Sequence, residues 1–183
     1  MCGCYQAMNA ELALEAVGNI CLREKRYIWT GGNRYLHSFT GKDVWNGSEH
    51  ISRVDGAHNP GAMQAFVESV KALDESERGE MILLFSAVSD KKYDEMIECL
   101  CGNLDVKAYI VTQIEDERGV PVEELADIFR RYTDRPVYCK ERLEDAVGTA
   151  LDKRGESGEI YCLGSLYLVG MIKKLLAGGA IDA

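Results

Sequence analysis

The chain has 183 residues, 46% of them hydrophobic and 28% charged, which fits one globular domain, or one domain with an appendage. Lys and Arg total 21 against 30 Asp and Glu, a net charge of -9, and this argues against the basic surface on which nucleic-acid affinity depends. No apolar run reaches the roughly 20 residues that span a bilayer, and Met1-Cys2-Gly3-Cys4-Tyr5 lacks the basic and apolar regions of a secretory signal, so a cytoplasmic protein is expected.

The first element expected is a helix over residues 5–25, with Leu12, Leu14, Val17 and Ile20 on a broad apolar face. From Trp29 to Gly47 the chain turns rich in Gly, Thr, Asn and Ser. It reads as a linker leading into a hairpin whose turn is Thr40-Gly41-Lys42-Asp43. The change of character places residues 1–26 apart from the rest, 27–48 as linker and hairpin, and 49–183 as the main domain.

From there strands and helices alternate. Ile51–Val54 is a short strand. Pro60 opens a helix whose Met63, Phe66, Val67, Val70 and Leu73 keep a spacing of three and four. Met81–Phe85 is a continuous apolar run, as in a strand buried on both faces. Then come a helix at Tyr93–Cys101, a strand at Ala108–Thr112, a helix at Val122–Tyr132 opened by Pro121, and a short strand at Val137–Cys139. A helix at Leu143–Lys153, a strand at Glu159–Leu163 and a helix at Leu166–Leu176 complete the series. The pattern predicts an α/β domain: a mostly parallel open sheet with helices on both faces.

In such a sheet the turns at the strand C-terminal ends share one edge, where ligands bind. The first of these turns, Asp55-Gly56-Ala57-His58-Asn59-Pro60, crowds a carboxylate, an imidazole and an amide before a helix N-terminus, whose unpaired N–H groups favour anions. Lys91 falls in the turn after Met81–Phe85, Arg118 in the turn after Ala108–Thr112, and Ser165 in the turn after Glu159–Leu163. Each has a structural alternative. Asp55 suits a turn, His58 a backbone hydrogen bond, Ser89, Asp90 and Ser165 helix caps, and Lys91 a solvated surface. His37 and His50 read as surface residues.

The seven cysteines are scattered and read as reduced thiols. The Cys2/Cys4 and Cys99/Cys101 pairs have no histidine at a zinc spacing, so no metal site is expected on this chain. The sequence also lacks the phosphate loop G-x-x-x-x-G-K-[S/T], the dinucleotide fingerprint G-x-G-x-x-G, the nucleophile turn G-x-S-x-G and the H-E-x-x-H motif. These turns are parts of a ligand site without an engine for phosphoryl transfer.

Val54-Asp55-Gly56-Ala57-His58-Asn59-Pro60 resembles the hallmark of the C-terminal domain of folylpolyglutamate and dihydrofolate synthases, in the Mur ligase superfamily. Ser86–Lys92 resembles the family's small-residue turn ending in Asp-Lys. Val111-Thr112 with Glu117-Arg118 and Pro121–Leu125 resembles the next turn and helix. Gly164-Ser165-Leu166-Tyr167-Leu168-Val169-Gly170 is similar to the final strand-helix signature. Tyr5–Leu14 resembles the helix that ends the central ATPase domain, so the resemblance covers nearly the whole chain and implies that residues 1–26 are the last helix of that domain.

The resemblance implies a ligase that phosphorylates a folate carboxylate with ATP and magnesium and lets the amine of glutamate attack the acyl phosphate. It implies ATP, glutamate and a folate or dihydropteroate as small-molecule partners, with the ATPase domain in cis. It implies Asp55 for the ATP ribose or nearby metal shell, and Gln6 and Asn9 at the adenine. His58 and Lys91 would serve the chemistry, and Asn59 and Ser165 the amino-acid or acyl-phosphate side. Where the family's linker reads Trp-Pro-Gly-Arg, this chain reads Trp29-Thr30-Gly31-Gly32-Asn33-Arg34, so the resemblance leaves two alternatives: Arg34 is the phosphate contact from a shifted position, or the contact is lost. Without the phosphate-loop domain the chain is expected to be inactive by itself, and Met1 reads as the edge of an excised fragment or a truncated reading frame. The alternative is a free-standing nucleotide- or amino-acid-binding module.

Overall fold

A computed structural model describes residues 43–45, 48–50, 52–72, 80–155 and 158–178. The expected helix at 5–25, Gln6, Asn9 and Arg34 lie outside the described residues. So does most of the segment expected as a linker.

Two short strands, β1 (Asp43–Trp45) and β2 (Ser48–His50), pair antiparallel with Trp45 opposite Ser48. The hairpin connection is therefore Asn46-Gly47, not the Thr40–Asp43 turn expected from the sequence, because Asp43 is already in the ladder opposite His50.

The main sheet has five strands, β3 (Ser52–Val54), β4 (Met81–Phe85), β5 (Ala108–Thr112), β6 (Val137–Lys140) and β7 (Glu159–Leu163). Their order is β3-β7-β4-β5-β6 and every pairing is parallel. The helices are α1 (Pro60–Lys71), α2 (Tyr93–Asn103), α3 (Val122–Tyr132), α4 (Leu143–Arg154) and α5 (Leu166–Gly178). Each lies within a few residues of its expected span.

The order explains the layers. The chain steps from β3 to β4, β5 and β6 in one direction, so right-handed crossovers put α1, α2 and α3 on one face. It then returns to β7, between β3 and β4, and α4 falls on the other face. The two cores follow the alternation of each strand. Leu83, Phe85, Tyr109, Val111, Tyr161 and Leu163 pack against Met63, Phe66, Met96, Leu100, Leu125 and Phe129. Ile82, Leu84, Ala108, Ile110, Ile160 and Cys162 pack against Leu143, Ala146, Ala150, Leu168 and Ile172.

Each fully buried Leu, Ile, Val, Met or Phe contributes about 1.5–3 kcal/mol over an exposed one. Phe129 adds ring contacts to Phe85, edge-on at 5.4 Å, and to Tyr109 at 4.7 Å. α3 opens with Glu123 and Glu124 and closes with Arg130 and Arg131, charges that complement its dipole. No helix among the described residues is long and apolar enough to cross a membrane.

Candidate functional site

The crossover pattern creates a crevice. The chain leaves β3 and β4 toward the face of α1 and α2, but leaves β7, which lies between them, toward the opposite face. Adjacent strands whose chains diverge leave a cleft at their C-terminal ends. Val54 pairs with Cys162 and Phe85 with Leu163, so the three ends are level. Asp55 and His58 follow β3, Ser165 follows β7 and Lys91 follows β4. The expected gathering of these four on one edge is therefore present, on three consecutive strands.

The turn after β3 is built almost wholly from its own side chains. Asp55 Oδ1 accepts from the Ala57 N–H at 2.8 Å. His58 Nδ1 lies 2.6 Å from the Gly56 carbonyl oxygen. A carbonyl only accepts, so Nδ1 carries the proton and Nε2 holds the lone pair of the neutral ring. Asn59 is the N-cap of α1, extended at φ -152° and ψ 162°, and its Oδ1 accepts from the Ala62 N–H at 2.9 Å. Two backbone bonds stitch this turn to β7: Asp55 N–H to Cys162 O and Gly164 N–H to Ala57 O, both at 2.9 Å. A Cβ at Gly56 would lie 2.8 Å from Leu166 Cδ2, so the first turn of α5 rests directly on this backbone.

Ser165 is buried, 1% exposed. Its Oγ accepts from the Tyr167 N–H at 3.1 Å and its carbonyl from the Val169 N–H at 3.3 Å. The hydroxyl therefore caps α5. Gly164, just before it, has φ +106°, and a Cβ there would lie 2.3 Å from the Ser86 carbonyl oxygen and 2.6 Å from the Phe85 ring. Only glycine fits at this close approach of β7 to the end of β4.

The turn after β4 is different in kind. Ser86, Ala87 and Val88 are buried, and Ser86 Oγ has no hydrogen-bond partner among the described residues. Lys91 Nζ lies 3.3 Å from Asp90 Oδ2, with the two side chains 35% and 53% exposed. A surface pair of this kind contributes little and is readily exchanged, so the Lys91 ammonium is available to an anion at the strand edge. An open groove of about 930 Å³ leads from Ser89 and Lys91 to Arg131 between α2 and α3. Lys92 pairs there with Glu95 at 2.8 Å and Arg131 with Asp94 at 2.7 Å, surface pairs of the same kind.

Sequence reasoning did not single out Ser86, Gly164 or Tyr167. Arg118 donates to Asp116 and to the Tyr167 hydroxyl, and these two bonds, Asp116 first, hold its guanidinium pKa above the ordinary value. The same bond from Arg118 keeps the Asp116 carboxyl below its usual range. Among the described residues no group of three or more His, Cys, Asp or Glu gathers where a metal ion would sit. Burial pushes the Cys101 thiol up to about 11 and the Cys162 thiol to about 12, far from the thiolate a metal needs.

Residues 41–166 match the family described as Mur ligase, glutamate ligase domain. The chain belongs to this family. A curated relative from Haloferax volcanii, named a probable bifunctional folylpolyglutamate synthase/dihydropteroate synthase, is 28% identical over 91% of this chain and 19% of its own. The folylpolyglutamate synthase of Thermotoga maritima has the same fold, with a TM-score of 0.63 at 22% identity over 84% of this chain and 32% of its own. A bifunctional folylpolyglutamate synthase/dihydrofolate synthase with Mn, AMPPNP and L-glutamate bound superposes with a TM-score of 0.61 at 18% identity, over 80% of this chain and 32% of its own. The chain thus spans about a fifth of the curated relative and about a third of these solved ones. Its fold is similar to that part of the folylpolyglutamate synthases.

Proposed function

We propose that this domain serves, with a phosphate-loop domain, an ATP-dependent ligase that joins glutamate to a folate carboxylate through an acyl phosphate in the cytoplasm. What supports the reading is that Asp55 and His58 follow β3 and Lys91 follows β4, the two strands that flank β7 at one sheet edge, within a chain of the glutamate ligase family.

The reaction asks two things of this edge. A carboxylate oxygen attacks the γ-phosphorus and ADP leaves; the glutamate amine then attacks the acyl carbon and phosphate leaves. Both steps gather negative charge, which an ammonium stabilises best in a site shielded from water. Lys91 supplies that ammonium. His58, with its Nδ1 proton tied to the Gly56 carbonyl, keeps Nε2 as an acceptor, suited to a proton from the attacking amine. Asp55 suits the ribose hydroxyls. Asn59 and Ser165 act through the helix ends they cap.

ATP fits here as a ligand of the edge, with its phosphates left to the other domain, since the phosphate loop is absent from this sequence. Magnesium lacks a ligand set among the described residues, so its ligands would come mainly from the other domain. In the family it supplies charge neutralisation on the phosphates.

The test is reconstitution. The purified 183-residue chain is expected to show neither ATP hydrolysis nor glutamate addition. Joined to the phosphate-loop domain encoded with it, it should extend a folate by glutamate, and Lys91→Ala should lower that rate about 10²-fold or more. Ligation by the isolated chain, or full activity of the Lys91→Ala enzyme, would overturn the reading.

A further inference from the structure

The loop after β5 and the first turn of α5 belong to strands that are not neighbours, because β4 lies between β5 and β7. Arg118 nevertheless joins them. Its Nε donates to Asp116 Oδ1 at 3.0 Å, and its backbone N–H donates to the same oxygen at 2.9 Å. Its Nη2 donates to the Tyr167 hydroxyl, and its guanidinium carbon lies 5.0 Å from the Tyr167 ring centroid. A side chain that connects these two loops must cross the C-terminal end of β4.

The backbone beneath is bound in the same sense. Ser89 N–H donates to Arg118 O at 2.7 Å and Val120 N–H to Ala87 O at 3.1 Å, with Val88 paired to Gly119. The turn after β4 holds itself by one backbone bond, Lys91 N–H to Val88 O at 3.1 Å. Lys92, at the N-cap position of α2, makes no side-chain cap bond, and the buried Ser86 hydroxyl bonds to nothing among the described residues. The turn's other backbone bonds run to the Arg118 segment.

We propose that Asp116, Arg118 and Tyr167 form a strap over the end of β4, with Tyr167 a positioning residue that, through Arg118, holds Ser89–Lys91 where Lys91 serves the reaction. The role of Lys91 rests on the functional reading above; the strap does not. Arg is required because one planar fork meets a carboxylate, a hydroxyl and a ring face together, which an ammonium does not. The Arg118 side chain is 49% exposed and Tyr167 44%, so the strap is a fastening that solvent and salt can open rather than part of the core.

Amide hydrogen exchange on the 183-residue chain, without substrate, tests this. Tyr167→Leu should speed exchange at Ser89 and Val120 by roughly threefold to tenfold, the scale of one lost polar contact. Tyr167→Phe keeps the ring and should fall between that variant and the native chain. The Leu84 and Ile110 amides in the core should not change. Unchanged rates at Ser89 and Val120 in Tyr167→Leu would overturn the strap. So would a uniform rise across the core with a lower Tm, the mark of a residue that only supports folding. With no substrate present, failure here leaves the ligase reading standing. Failure of ligation in the reconstituted enzyme with the expected exchange pattern leaves the strap standing.

Discussion

The turn after β3 and the turn after β4 lie at the same sheet edge but draw on local and distant bonds in different proportion. Asp55, His58 and Asn59 each bond to backbone within three residues, so that turn carries its conformation in its own sequence. The Ser86–Lys92 turn has one local backbone bond, Lys91 N–H to Val88 O, and two to Arg118 and Val120, which lie on the order of thirty residues further along the chain. The first turn makes three local side-chain bonds beside its two backbone bonds to β7, whereas the second leans mainly on the Arg118 segment.

The contrast can be broken most severely where β7 meets the end of β4. Gly164→Ala forces a side chain onto a residue with φ +106° and sets its Cβ 2.3 Å from the Ser86 carbonyl oxygen. A loss of more than about 2 kcal/mol is expected in urea unfolding. A loss below about 0.5 kcal/mol would mean that β7 and the end of β4 are not this close.

Removing a local bond from the self-built turn should cost less. Asn59→Ala deletes the α1 cap and is expected to destabilise by about 1 kcal/mol. Asn59→Asp keeps an accepting oxygen and should lose little. Equal losses for both would show that the amide does more than cap.

The smallest effect should come from the other turn. Ser86→Ala removes a buried hydroxyl that has no partner among the described residues, so stability should hold or rise slightly. A loss above about 1.5 kcal/mol would show that the hydroxyl does bond to something and that this turn is more self-sufficient than its neighbours suggest.

The same contrast decides what the sequence discloses. The alternation of strands and helices is legible because each apolar run keeps its period, as in Met81–Phe85 and in Met63, Phe66, Val67 and Val70. The first turn is legible because its bonds are local and its residue types announce them. Asp55, His58 and Ser165 prove to be both motif residues and the turn, backbone-bonded and cap residues that their structural alternatives name. The Arg118–Tyr167 contact is not legible. The two residues are far apart in the chain, and only the β7-β4-β5 order brings their loops together. The hairpin turn is misplaced by sequence reasoning because Thr40–Asp43 looks as turn-like as Asn46-Gly47, and the pairing of Asp43 with His50 decides between them. Gly164 reads as part of a signature, but its physical necessity lies in a carbonyl from another strand.

The most direct measurement follows an oxygen atom. The enzyme reconstituted from this domain and its phosphate-loop domain would be given ATP, glutamate and a folate labelled with ¹⁸O in its free carboxylate. If the edge formed by Asp55, His58 and Lys91 serves ligation through an acyl phosphate, one labelled oxygen should appear in the inorganic phosphate for each glutamate added. Product formed with unlabelled phosphate would contradict the account, because the carboxylate oxygen would then never have been joined to phosphorus.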